Sequence, residues 1–347
     1  MNARDGTSLP EWQRAHGEPG VRADLRCLPQ DFQVDEELGF EPDGEGEHDY
    51  LWLEKSGANT AWVAERLADF AGIQVRDVGY AGMKDRHAVT RQWFSVRRPA
   101  GAPADWSRFN LDGVHIRKAT RNRRKLRRGA HRGNRFRIVL RNIDSAAHDF
   151  DARLSTLAEQ GVPNYFGEQR FGRDASNLQL AERLFAGGRL SRPRRGLALS
   201  AARALIFNSV LERRVADHTW NKLVPGECAN LDGSGSVFTV HEVDALLDRR
   251  LQAMDIHPTG PLWGRNGAGA NGEWSPLEQA IAGQFELHAR GLERHGVESA
   301  RRPLRLAVRA LKWETGEGTL TVEFQLSSGA FATAVLRELV LYRDVTA

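Results

Sequence analysis

Apolar residues alternate with a period of two near both ends of this chain and recur at helical spacing in its middle. No other feature limits the fold as much. In the stretch from Thr90 to Val96, Gln92, Phe94 and Val96 share one face and Trp93 takes the other. Phe136, Ile138 and Leu140 alternate in the same way, and so do Leu320, Val322, Phe324 and Leu326. Strands of this kind bury one face and must share a sheet with a covering layer. Asn59 is placed to cap a helix whose apolar side includes Trp62, Val63, Leu67 and Phe70, with Gly72 as its stop signal. Ser327, Ser328 and Gly329 break the last strand, and residues 331–341 read as a helix. Residues 174–215 and 276–300 are helical in pattern, joined by a span that includes a Gly/Pro-rich stretch, 256–273. Strand-rich ends around a helix-rich middle predict an α+β core with a mixed or antiparallel sheet, residues 1–159 and 306–347. An α+β domain of residues 160–305 is expected to interrupt it.

The chain has 347 residues, enough for two domains that each bury a core. No apolar run approaches the length of a membrane helix, and the first residues lack the apolar segment of a secretion signal. Cys27 and Cys228 are the only cysteines, too few for a disulfide scaffold or a Cys-rich zinc site. The expectation is a cytoplasmic protein. Its charge is unevenly spread. The net formal charge is +4, yet residues 117–137 hold eleven Lys/Arg and no Asp/Glu, leaving about −7 on the remainder. Such a run repels itself unless an anion such as a phosphate backbone lies against it. A solvated basic loop is the plain alternative. Strand-like stretches on both sides (residues 111–116 and 135–140) favour an arm that faces nucleic acid.

The strongest local signal for chemistry is residues 79–92. Gly79 and Gly82 permit close backbone approach or a tight turn, and Asp85 follows among Lys84, Arg86 and His87. Cationic neighbours keep a carboxylate ionised, as a nucleophile or proton acceptor must be. An Asp closing an ordinary surface turn would look the same in isolation.

Residues 79–92 resemble the signature of the TruD family of tRNA pseudouridine synthases. Four further segments are similar to that family, in its order: residues 29–34 with the acidic 39–48, residues 125–136, residues 162–172, and residues 328–333 with 337–339. The similarity spans nearly the whole chain apart from about twenty N-terminal residues, and is weakest across residues 217–272. It implies an enzyme that isomerises a specific uridine of tRNA, uridine 13, to pseudouridine. Asp85 matches the family's catalytic aspartate, and Lys84 beside it is a supporting residue. Arg26 falls where the family places a lysine partner for that aspartate. Asn134 and Phe136 match a pocket asparagine and a stacking phenylalanine, while Phe32 and Phe331 match its other pocket aromatics. Core packing is the alternative for each of these rings. Arg121, Arg123, Arg124, Lys125, Arg127 and Arg128 become the candidate contacts to the RNA backbone. The reaction breaks an N-glycosidic bond, turns the uracil and rejoins it through carbon, with no redox step or group transfer. No cofactor and no metal are therefore expected, and a monomer without a protein partner.

Two other patterns carry possible chemistry of their own. Residues 267–272 match G-x-G-x-x-G, but no βαβ unit surrounds them, so a flexible loop is expected. Residues 35–49 hold eight Asp/Glu and no Lys/Arg, a composition that also occurs at metal sites of nucleases. The rival readings are a metal-dependent nuclease built on that stretch with Asp85, and a non-catalytic RNA-binding protein built on residues 117–137. Loss of activity with EDTA marks the first; full function in Asp85→Asn marks the second.

Overall fold

The computed structural model describes residues 11–98, 104–144, 149–269 and 272–346. Its contacts gather into two units. One comprises Pro19–Leu154, Val308–Ala332 and Leu339–Ala347; the other comprises Met1–Glu18, Ser155–Ala307 and Thr333–Glu338.

The first unit is built on a sheet. Its N-terminal strands are β1 (Arg22–Leu25), β2 (Phe32–Leu38), β3 (His48–Lys55), β4 (Val78–Tyr80), β5 (Val89–Arg97), β6 (Val114–Asn122) and β7 (His131–Arg141). β2 and β5 run parallel as neighbours, and β3 lies antiparallel between β5 and β6. Helix α1 (Thr60–Ala71) covers this half of the sheet. Its Val63, Ala64, Leu67 and Ala68 pack on Leu51, Leu53, Phe94 and Val96. Each large aliphatic or Phe side chain buried this way contributes about 1.5–3 kcal/mol. Gly72 ends the helix in the left-handed region at φ 65°, which costs glycine nothing. Trp62 and Phe70 lie to the side of the buried stripe, 40% and 39% exposed, and Phe70 meets Trp106 and Phe109 instead.

The basic run differs from the arm expected between two strands. β6 and β7 themselves contain most of it, leaving only residues 123–130 as a connection. That connection leads from β6, an end strand of the sheet, to the interior strand β7. It is held down by its backbone: Leu126 N–H donates to Ser95 Oγ (2.9 Å), Gly129 N–H to Ala81 O (2.8 Å), and Tyr50 Oη to Arg124 O (2.9 Å). A Cβ on Gly79 would stand 2.3 Å from Leu126 O, so only glycine lets the connection lie this close.

The boundary between the units falls within α2 (Phe150–Gln160). The second unit continues with β8 (Val162–Pro163), α3 (Ser176–Phe185), α4 (Arg192–Ala216), β9 (Cys228–Leu231), β10 (Val237–Thr239) and α5 (Ala245–Gln252). β11 (Ile256–Leu262), α6 (Pro276–Gln284), α7 (Glu286–Arg294), β12 (Ala300–Pro303) and β13 (Arg305–Leu306) follow. α3, α4, α6 and α7 share a core of Leu184, Phe185, Ala198, Ala202, Ile206, Ala282 and Leu292. Gly291 of α7 lies against the Phe185 ring, where a Cβ would come within 2.3 Å of ring carbon. The Gly/Pro-rich stretch begins as a strand, β11, and only then becomes a loop. Pro258 and Pro261 are tolerated because residues 256–258 pair with β9 alone and residues 259–262 with β12 alone. Each half of β11 is in effect an edge, where a missing N–H leaves no gap in a ladder.

The chain then returns to the first unit's sheet with β14 (Arg309–Gly316) and β15 (Thr319–Ser327). β15 pairs with β7 from Thr319↔Arg141 to Ser327↔Gly133, completing the order β14-β15-β7-β2-β5-β3-β6. α8 (Ala332–Leu339) is shorter than the expected helix, because β16 (Leu341–Asp344) takes the next residues and pairs parallel with β1. The N-terminal residues group with α8 through hydrogen bonds: Arg14 Nε donates to Arg337 O (2.7 Å), and Ala15 and His16 N–H donate to Glu338. No helix among the described residues is long and apolar enough to cross a membrane.

Candidate active site

Asp85 sits in the loop that joins β4 to β5, with its side chain 29% exposed. One carboxylate oxygen accepts the backbone N–H of His87 (2.9 Å), and the other meets Arg26 Nη2 (3.1 Å). The cation at Asp85 is thus distant in sequence. The side chains of its immediate neighbours turn elsewhere: Lys84 Nζ meets Glu36 (2.8 Å) and Arg86 Nε donates to His87 Nε2 (2.9 Å). Arg26 leaves β1 in the left-handed region, φ 59°, a conformation non-glycine residues rarely adopt. There its guanidinium bridges Asp85 and Asp344 of β16, and its carbon lies 4.5 Å from the centre of the Phe32 ring.

Phe32 begins an aromatic row on the buried face of the sheet. Its ring stands edge-on to Phe136 (6.3 Å), which stacks on Phe324 (5.4 Å). The row follows from register, since Phe136 of β7 is opposite Phe324 of β15 and Val34 of β2, and Phe32 lies two residues before Val34 on the same face. Asn134 lies on the same face two residues before Phe136, opposite Glu36 and Leu326. It is buried, and its amide oxygen has no hydrogen-bond partner. Such an atom costs free energy until something donates to it. Phe331 is half-buried just ahead of α8. Lys84 reaches the row through Glu36, whose other oxygen accepts the Trp93 N–H (3.1 Å).

Sequence reasoning missed the platform beneath the Asp85 loop. Lys55, fully buried at the end of β3, donates to the carbonyls of Ala58 (2.9 Å), Asp85 (3.1 Å) and Lys84 (3.4 Å). Thr60 Oγ1 accepts the Lys84 N–H (3.0 Å) and donates to Gln92 Oε1 (2.9 Å), while Gln92 Nε2 donates to Gly82 O (3.2 Å). A lysine inside an apolar strand pattern signals nothing locally; only the loop folded over it supplies the acceptors. Burial pushes the Lys55 ammonium down to about 8. The unfolded chain therefore holds more protons than the folded one from about pH 8 to 10.5, so this residue's contribution to stability rises with pH across that window. Denaturation midpoints of the protein and of Lys55→Met should diverge in the protein's favour between pH 7.5 and 10, by up to about 3 kcal/mol. A pH-independent difference would mean that burial leaves the Lys55 ammonium unshifted and charged in the fold as in the unfolded chain.

The acidic stretch is distributed over cations of the sheet. Asp35 meets Arg91 (3.0 Å), Glu37 meets Arg135 (3.3 Å), Asp49 meets Arg98 (3.1 Å), and Glu45 meets Arg123. Within residues 267–272, positions 270 and 271 lie outside the described residues. A Cβ on Gly267 would stand 2.1 Å from Gly272 O, so the run folds back on itself rather than opening a helix. In the basic run, Arg121 donates to Gly46 O (2.7 Å), Lys125 to Arg76 O, and Arg128 to Tyr80 Oη (2.8 Å) over whose ring it lies. Arg124 and Arg127 are exposed, with no side-chain hydrogen bond or ion pair among the described residues.

Comparison with known proteins supplies the family. The chain matches the family model of tRNA pseudouridine synthase D (TruD) over residues 13–189 and 181–339. It is 47% identical to a tRNA pseudouridine synthase D of Methylococcus capsulatus over 97% of this chain and 96% of that one. For the protein of the same description from Aeromonas hydrophila the identity is 43%, over 94% and 92%. A solved structure described as a tRNA pseudouridine synthase D from Methanosarcina mazei shares the fold, with a TM-score of 0.73, 23% identity and 96% of each chain covered. Identity at this level over nearly the full length leaves one assignment: the chain belongs to the tRNA pseudouridine synthase D family.

Proposed function

We propose that this enzyme isomerises a uridine of tRNA to pseudouridine, with uridine 13 as the target and Asp85 as the catalytic carboxylate. The observation that carries the reading is one continuous set of contacts. The Asp85 carboxylate is fixed by Arg26, Arg26 lies on Phe32, and Phe32 leads to Phe136 and the unpartnered amide of Asn134. Chemistry follows from that order. The bond from uracil N1 to the ribose C1′ must break, and a bond from C5 must replace it; the C5 proton leaves and N1 gains one. Asp85 either adds to C1′ or takes a proton from the sugar, and both routes need the anion that Arg26 holds in place. An extruded base would rest against the aromatic row while the Asn134 oxygen accepts the uracil N3–H.

The backbone of the RNA would lie along the basic run. In the connection of residues 123–130, Arg124 and Arg127 are the cations with no side-chain partner among the described residues, so Arg124→Ala and Arg127→Ala should each flatten the log–log salt dependence of tRNA affinity by about 0.7–0.9. Arg123→Ala should do less, because Glu45 already holds that guanidinium. Equal slopes for all three variants and the parent protein would leave the run a solvated surface.

The deciding experiment maps pseudouridine in a tRNA transcript incubated with the purified protein. Product at uridine 13 is expected. Product at another uridine would move the target, and no product on any tRNA would overturn the reading.

A further inference from the structure

We infer that the helical unit carries its own RNA-backbone surface, formed by Arg183, Arg189, Arg192 and Arg194, which takes phosphates of the tRNA. Residues 183–195 contain five arginines and no Asp/Glu. Arg183 lies in the last turn of α3, and Gly188 N–H bonds back to Arg183 O (2.9 Å), which brings Arg189 alongside. A Cβ on Gly188 would stand 2.7 Å from that oxygen, so the turn is as tight as glycine allows. Arg192 and Arg194 follow at the start of α4.

All four side chains are exposed, and none makes a hydrogen bond or ion pair among the described residues. Four other surface arginines of the same unit are neutralised: Arg213 by Asp217 (2.7 Å), Arg250 by Asp255 (2.5 Å), Arg290 by Glu286 (2.7 Å), and Arg265 by Glu298, while the exposed Arg173 and Arg249 stand singly. The first turn of α4 has no acidic residue, and the Ser191 side chain does not cap it. Arg192 and Arg194 stand at the positive end of α4, where they repel one another and the dipole, an arrangement that an external anion relieves. Their support is rigid, because Leu184 and Phe185 of α3 pack on Ala198 and Ala202 of α4. Guanidinium forks match phosphate oxygens two at a time. No aromatic side chain is exposed among residues 183–196, where a protein interface would place its anchors. A phosphate backbone is the partner that fits.

This inference rests on tRNA being the substrate, and its test separates the two. The variant Arg183→Gln, Arg189→Gln, Arg192→Gln, Arg194→Gln is compared with the parent protein for tRNA affinity as a function of salt. Four lost contacts should lower the slope by about 3. The single-turnover rate at saturating tRNA should stay within twofold, since Asp85 and its partners are untouched. The matching set of Arg→Lys changes, which keeps the charge, should restore most of the slope. An unchanged slope in the Gln variant overturns the inference and leaves the cations to solvent or an acidic protein. Absence of pseudouridine from the parent reaction would instead sink the proposed activity, while the salt slope would still report on the surface.

Discussion

Asp85→Asn should abolish pseudouridine formation, by a factor of about 10⁴ or more, while tRNA affinity stays within several-fold. The change is nearly isosteric, and an amide oxygen can still accept the His87 N–H that holds the carboxylate now. Arg26 keeps Asp344, so the guanidinium is not left without an anion in its buried site. Lys55 binds the backbone carbonyl of residue 85, which the substitution does not alter. What disappears is the negative charge that either route at the sugar requires, and no phosphate contact goes with it. Single-turnover kinetics and filter binding on the pure variant would check both halves. Appreciable product from Asp85→Asn would remove Asp85 from the chemistry, and loss of binding with loss of product would make its role structural.

The second large effect falls on the aromatic row. Phe136 is 6% exposed, lies on an interior strand, and has Phe324 stacked on it and Phe32 at its edge. Phe136→Ala should therefore cost about 3–5 kcal/mol of stability, whatever else the ring does. Phe136→Leu separates packing from recognition, because it fills most of the space without offering a flat ring. It should melt close to the parent protein yet lose about 1–3 kcal/mol of base stacking in productive engagement. Asn134→Ala should behave differently from either. Its amide oxygen satisfies nothing inside the protein, so its removal should leave stability nearly unchanged. Turnover should nevertheless fall, as the uracil edge would face an apolar wall at a cost of about 1–3 kcal/mol. Normal turnover per folded molecule in both Phe136→Leu and Asn134→Ala would return these residues to the core.

What could be read from the chain followed physical range. Alternation along residues 90–96 and 320–326 determined strands β5 and β15 and their buried faces, because a strand's two sides are set by the strand itself. Gly72 bounded α1 for the same local reason, whereas Asn59 stands at the N-cap position but its side chain makes no capping bond. Gly79 announced a close approach of backbone, though not that residues 123–130 would be what approaches. Asp85 stood out by the company of its neighbours, and there local reasoning misled. Lys84, Arg86 and His87 surround it in sequence, but the guanidinium beside it comes from Arg26 and is shared with Asp344 at the far end of the chain. β16 escaped notice because four residues reading Leu-Tyr-Arg-Asp carry no periodicity of their own and become a strand only beside β1. Pro258 and Pro261 argued against a strand until pairing gave each half of β11 a single partner. Lys55 went unread because its three acceptors belong to loops that meet only in the folded chain. The sequence by itself determined the strongly periodic strands, helix α1 and which carboxylate stands out, since these depend on residues within a few positions of one another. Ion pairs, strand partners and buried polar contacts depend on groups tens to hundreds of residues apart, whose distances the tertiary structure alone decides.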